Sequence, residues 1–330
     1  MVKFLTNRVI SVAIVVLGAA SANAELVKTP ILQIFEDENG TVTESVGYKV
    51  TGLPNKEVAM VYTNHLRTAT LRVRADLENV QFLVVGGGGG GGVGFMGAGG
   101  GGGGVVTGYV YKLEKGVKIS VKVGAGGTGG TNKNPLGVGG DSSIIVGETP
   151  YVLAYGGGAG GKSVNGGDGG SGAGGGVSSN GSVEYIGGRV KEAVCAKGVL
   201  FAESFGHEGG SNGSAIASSG GGGGAMGDGG DSIAAKGGAG GDGLKMDITG
   251  ALITYGSGGG GGGNAQSGAG GENAGTGGKS GVNGTSAKAN CGGGGGGGGP
   301  AYTAGGDGGS GIVVFRYKEP NTSGFKIIVR

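Results

Sequence analysis

Hydrophobic positions in this chain come in short runs of two kinds. Residues 70–74 alternate apolar and polar, as in a strand with one buried face, whereas Phe82, Leu83, Val84 and Val85 form an unbroken apolar run of the kind buried on both faces. The same reading assigns strands to residues 31–35, 41–50, 58–63, 105–113, 117–123, 142–146, 151–155, 248–255 and 312–317. Asn39 and Gly40, between the first two, form the dipeptide that favours a type I′ hairpin turn. Helical periodicity is nearly absent. Residues 189–205, with Gly187 and Gly188 before them and Gly206 after them, are the one stretch that suits a short helix.

What separates the strands is glycine, 94 of 330 residues. The first long array, residues 86–104, is entered directly from the Phe82 to Val85 run. Period decides what order such an array can have, because sheets alternate every two residues and threefold extended helices repeat every three. Here the step is three: Ala125, Thr128 and Thr131 in one array, Ala159, Lys162, Asn165, Asp168 and Ser171 in another, then Ala225, Asp228 and Asp231, and Ala304, Asp307 and Ser310. A Gly-Gly-X strand of threefold symmetry has two bare backbone edges and one edge of side chains. Collagen uses that geometry but needs abundant proline, and this chain has 6. The expected fold class is therefore mainly β, a sandwich-like frame of short strands enclosing polyglycine II helix arrays. Low-complexity disorder is the alternative. Ordering a glycine costs about 0.5–1 kcal/mol more than ordering an alanine, a lateral backbone hydrogen bond returns about 0.5–1.5 kcal/mol, and only flanking strands can tip that balance.

Four segments are expected. Residues 1–24 read as a signal peptide, with Lys3 and Arg8 before an apolar run and an A-x-A site at Ala22 to Ala24 that places cleavage between Ala24 and Glu25. Residues 25–66 have ordinary composition and read as an N-terminal β lead-in module, or as the first strands of a larger domain; residues 67–318 are the glycine-rich domain and 319–330 a C-terminal tail. Cleavage leaves 23 basic residues against 23 acidic ones, a neutral balance that gives nucleic acid or an anionic membrane no electrostatic attraction. Beyond the signal no stretch is long and apolar enough to span a bilayer as a helix. The expected location is therefore secreted or at the cell surface. In an oxidising compartment Cys195 and Cys291 are candidates for a disulfide closing a loop of about 100 residues.

Candidate chemistry is sparse. Residues 156–163 match the phosphate-binding Gly-x-x-x-x-Gly-Lys-Ser pattern after a strand, yet the residues following Ser163 cannot form the helix that such a site requires. Residues 237–245 fit one calcium-binding nonapeptide, a unit that works only in tandem copies. His65 and His207 stand without ligand partners at metal spacing. Ser204, His207 and Glu208 put a nucleophile, a base and an acid within five residues, but catalytic groups are defined by space and not by adjacency. No catalytic, cofactor or metal residue is assigned.

Several signatures carry a resemblance: the run into polyglycine at Val85, residues 117–130, Gly140 to Ser143, Ile248 to Gly250 leading to Tyr255, and the closing residues 305–317. Together they resemble the glycine-rich domain of secreted bacterial proteins and phage tail fibres, over residues 71–317. The resemblance implies a β frame around polyglycine II helices and, from the tail-fibre adhesins, binding loops at the tip of the bundle. The secretion signal sets this chain apart from tail-fibre proteins. The expected function is a non-enzymatic structural or adhesive surface protein, with a cell-surface glycan or protein receptor as partner. An ice-binding protein built on polyglycine II is the second reading and a secreted hydrolase the third.

Overall fold

A computed structural model of the chain describes residues 32–35, 48–131, 137–178, 183–196, 200–213 and 218–319. The described part is mainly β. Strands β1 (Leu32–Phe35), β4 (Ala69–Val73), β7 (Lys118–Lys122), β8 (Ser142–Val146), β9 (Thr149–Ala154) and β10 (Val194–Cys195) form one antiparallel sheet in the order β1-β4-β7-β8-β9-β10. Strands β2 (Tyr48–Leu53), β3 (Glu57–Tyr62), β5 (Leu77–Val85), β6 (Val105–Leu113), β11 (Leu200–Phe205) and β14 (Ile312–Lys318) form a second, ordered β11-β6-β5-β14-β3-β2, and β12 (Leu244–Met246) pairs with β13 (Ile253–Tyr255) as a separate hairpin.

The sheets face each other across one apolar layer. Leu71, Ile119, Val121 and Val152 from the first meet Met60, Phe82, Val110 and Phe315 from the second, and Tyr62 meets Phe315 edge to face with ring centroids 6.2 Å apart. A smaller cluster lies on the opposite face of the second sheet, where Leu83, Val85, Ile312 and Val314 pack with Ile248 and Tyr255. The unbroken run at the end of β5 is thus explained residue by residue. Phe82 and Val84 enter the first cluster, Leu83 and Val85 the second.

Three expectations are corrected. The described residues of 189–205 contribute β10 and β11 and no helix, because Val194 and Cys195 pair with Leu153 and Val152, and Leu200 to Phe205 pair with Val110 to Val105. The described strands on either side of Asn39 and Gly40 do not pair with each other: β1 pairs with β4 and β2 with β3, in different sheets, while residues 36–47 lie outside the described residues. Within residues 25–66 the described strands are not set apart as a module but join the two sheets, β1 beside β4 in the first and β3 between β14 and β2 in the second, as first strands of a larger domain do.

Beyond the strand ends the glycine arrays continue the sheet registers. Val85 is opposite Val105 in the β5–β6 pair, and the next bonds run from Gly86 N–H to Gly104 C=O, Gly89 to Gly101 and Gly92 to Ala98, each one step of three further out. Residues 97–104 are the axis of the resulting bundle. They bond laterally to six segments, 86–92, 156–161, 171–176, 219–224, 256–263 and 292–299, at 2.9–3.2 Å through the pairs Gly89–Gly101, Ala98–Gly161, Gly174–Gly99, Gly99–Gly220, Gly259–Gly100 and Gly97–Gly298. Those six also bond to one another in that order, closing a ring from Gly157–Gly87 round to Gly295–Gly89. Most of these positions leave no room for a Cβ, with buried exceptions such as Ala98 and Ala173. A Cβ on Gly100 would lie 2.2 Å from the Gly89 oxygen, and one on Gly222 would lie 2.0 Å from that of Gly100.

Side chains replace the missing neighbour where the bundle meets solvent. Asp168 Oδ1 accepts from Arg189 N–H, Asp231 Oδ1 from Ser211 N–H and Asp307 Oδ1 from Gly129 N–H, each at 2.7 Å. At the junction with the sandwich the buried Ser142 donates its hydroxyl to Val85 C=O at 2.6 Å and accepts from Gly124 N–H at 2.8 Å. That residue ties β8, β5 and the array after β7 together.

A side chain added at the axis should therefore be costly and one added at an outward position should not. Gly100→Val is expected to lower stability by about 1–3 kcal/mol or more, a drop of several degrees in Tm, because no flexible neighbour can give way. Ala125→Val, at an exposed position, should stay within about 0.5 kcal/mol. Thermal unfolding of the two variants followed by circular dichroism checks this.

Candidate functional site

The arrays run out from the strands and return, so their connecting turns gather at the end of the bundle away from the sandwich. The centre of that end is apolar and closed. Val93, Met96 and Val177 are buried, Met96 pairs with Val177, and Ser163 donates its hydroxyl to the Val177 carbonyl at 2.9 Å. Further turns are held by single bridges, Ser218 to Gly263, Ile233 to Lys236 and Lys236 to Gln266. The Thr303 hydroxyl donates to Val282 C=O at 2.8 Å and to Gly299 C=O at 2.9 Å.

Around the closed centre, apolar side chains project into solvent. Ile233 is 74 % exposed, Val164 53 %, Tyr302 52 % and Val282 46 %. Ser163, Ala234, Ala301 and Tyr302 adopt φ of 52°, 51°, 68° and 57°, the left-handed region that favours glycine, so these turns hold their shape against a local preference. Exposed apolar side chains thus stand on turns of constrained backbone, among exposed polar ones such as Lys162, Asn264 and Lys279.

The other candidates resolve individually. The phosphate-loop match at residues 156–163 is an extended strand of the bundle. The N–H groups of Gly157, Gly158, Gly160 and Gly161 donate to Gly87, Ser171, Gly90 and Gly174, so they are not free to cradle a phosphate. Residues 237–245 likewise join the bundle, with Gly238 and Gly241 bonded to Ser219 and Gly222, and end in β12. His65 is exposed. His207 meets a carboxylate, but it is Asp228, whose Oδ1 lies 3.1 Å from Nδ1 and also accepts from Glu208 N–H at 3.2 Å. Ser204, paired with Val106 inside β11, belongs to the sheet ladder. No group of three or more His, Cys, Asp or Glu that could hold a metal ion occurs among the described residues. Ala24 and Glu25 lie outside them.

The disulfide expected between Cys195 and Cys291 is not formed: both are free thiols. Cys195 is at the edge of the first sheet, opposite Val152 and packed against the inter-sheet core. Cys291 is buried beyond the second sheet, its carbonyl accepting from Gly256 N–H just after Tyr255. The apolar layer between the sheets separates these positions, and a bridge requires Cα atoms within about 7 Å. Burial raises the pKa of both thiols, and that of the Tyr255 phenol to about 12.

The architecture defines a class: an antiparallel β frame whose strand ends register a laterally bonded glycine bundle. The chain belongs to the glycine-rich domain family, whose sequence model matches residues 63–318. No curated protein matches it.

Two outcomes check the site chemistry. Thiol titration in denaturant should return two free thiols per chain; none would restore the bridge. Because the folded pKa of Tyr255 lies above the ordinary tyrosine value of about 10, the stability linked to its neutral form is complete below about pH 10 and lost as pH rises towards 12. The fall in Tm over that window should therefore be shallower for Tyr255→Phe than for the parent protein.

Proposed function

We propose that this protein is a non-enzymatic structural or adhesive glycine-rich protein, exported by its signal peptide and acting outside the cytosol. In this reading the laterally bonded segments are polyglycine II helices, and the bundle is a rigid stalk that presents its far turns to a cell-surface glycan or protein receptor. The observation that carries the reading is the exposed apolar set at the far end, Val164, Ile233, Val282 and Tyr302, mounted on a lattice that leaves those turns little freedom. Exposed apolar side chains carried on the turns of a fixed frame suit an interaction surface. Two further observations agree with it. No helix among the described residues is long and apolar enough to cross a membrane, and the phosphate-loop amides are engaged in the bundle.

Ice binding is a second reading, favoured by Ala125 and Thr128, which are exposed three residues apart on an outer segment. The Asp307 carboxylate, hydrogen-bonded to Gly129 on the same segment, places a charge beside that row, and charge suits a solvated face better than an ice plane. Thermal hysteresis separates the two readings.

Secreted material should have the mass of a chain beginning at Glu25. It should bind cells or a glycan array saturably, and Ile233→Ser combined with Tyr302→Ser should weaken that binding at least tenfold without shifting Tm by more than about 2 °C. Retained binding in the double variant would remove the far turns from the role, and a mass that includes residues 1–24 would remove the exported, soluble form.

A further inference from the structure

Close packing of threefold strands gives each member of the inner ring an outer position directly behind it. Five of the six are filled. Residues 124–130 lie behind 86–92 (Gly127 N–H to Gly88 C=O) and 185–191 behind 171–176 (Gly188 to Ala173). Residues 227–232 lie behind 219–224 (Gly221 to Gly230), 266–271 behind 256–263 (Gly268 to Gly261) and 283–288 behind 292–299 (Gly296 to Thr285). Behind 156–161 no described segment is bonded. The flanking segments 137–140 and 165–170 are both present, bonded to 156–161 through Gly139–Gly157 and Gly167–Ala159, so the position that no described residue fills is a groove with a floor and two walls.

Its hydrogen-bonding edge can be read from the step of three. On the floor, Gly157 and Gly160 donate to 86–92 while Gly158 and Gly161 donate to 171–176, which leaves the third direction to Gly156 and Ala159. Gly156 N–H is satisfied by Asp141 Oδ1 at 2.8 Å, at the end of the groove next to the sandwich. Ala159 N–H has no partner among the described residues, nor do the carbonyls of Gly139 on one wall and Asp168 on the other. Ala159 is small and half-buried.

We propose that this groove binds one more extended Gly-Gly-X segment, contributed by a second polypeptide, as a threefold strand that completes the outer ring. The occupant's chemistry follows from the edge it meets. It must offer a carbonyl to Ala159 N–H and N–H groups to the wall carbonyls, which excludes proline at the wall-facing positions. It must also be bare where it faces the floor: at equivalent places in the filled positions, a Cβ on Gly229 or Gly284 would lie 2.1 Å from the Gly221 or Gly296 oxygen. A side chain is tolerated only on the third, solvent-facing edge. The inference rests on the lattice and not on the adhesive reading, so a protein that binds no cell or glycan should still take the segment.

The probe is a synthetic peptide of four Gly-Gly-Ala repeats with a lysine at each end, titrated into the full secreted chain labelled with ¹⁵N. The Ala159 amide resonance should shift saturably and its hydrogen exchange should slow at least tenfold. The same residues shuffled off the three-residue step should bind at least tenfold more weakly. Ala159→Phe should abolish the effect with Tm within about 2 °C of the parent, and Ala159→Val serves if the larger side chain disturbs folding. No saturable shift at millimolar peptide, equal binding of the shuffled peptide, or full binding by the folded variants would overturn the proposal. So would an Ala159 amide already protected in the free chain, since the groove would then be filled from within.

Discussion

The structure depends on backbone groups approaching each other at a distance that no Cβ allows. An N–H to C=O bond of about 2.9 Å between two threefold strands places their Cα atoms so close that an added methyl group would overlap a carbonyl, as the Gly88, Gly100 and Gly222 sites all indicate. Glycine is unfavourable to order, and each such bond contributes only modestly. The bundle answers both facts by saturation. Inner-ring segments bond in several directions as the three-residue step turns, so one segment's ordering is shared among several neighbours.

Saturation alone does not choose a register, because one Gly-Gly-X step resembles the next. The sandwich supplies that choice. The β5–β6 pair fixes Val85 opposite Val105, β14 fixes Ile312 opposite Val85, and the first lateral bonds, from Gly86 and Gly88, follow from those pairings. Ser142 adds a side-chain check at the same level by holding β5 and the Gly124 segment at once. The hydrophobic effect, concentrated in the two clusters around the second sheet, thereby orders a much larger volume that contains little apolar side chain. The same frame points the connecting turns in one direction, and the proposed role depends on that.

Solvent-facing arrays solve a further problem in a way that recurs along the chain. An outer strand lacks the neighbour that would accept its outward N–H, and a carboxylate or amide oxygen takes that place. Asp168 does so for Arg189, Asn165 for Ile186 and Asn283 for Ala304, each pair 21 residues apart. Asp228 fills the same role for Glu208 N–H, 20 residues away, while its Oδ1 also lies 3.1 Å from His207 Nδ1.

The sequence by itself determined the strand set and the step of three. Alternation at residues 70–74 and the run at Phe82 to Val85 mark β4 and β5, and the non-glycine positions Ala125 and Thr128 are the ones that face outward. These are local properties, fixed by which side of a short repeat carries a side chain. Tertiary structure alone decided which segments touch. It split β1 and β2 between two sheets, drew residues 194–195 and 200–205 into sheet edges, kept Cys195 and Cys291 apart, and left one ring member without an outer neighbour among the described residues. The physical reason is degeneracy. A glycine strand offers the same backbone edge wherever it lies, so its partners are chosen by the strands and turns that hold its ends and not by its own residues.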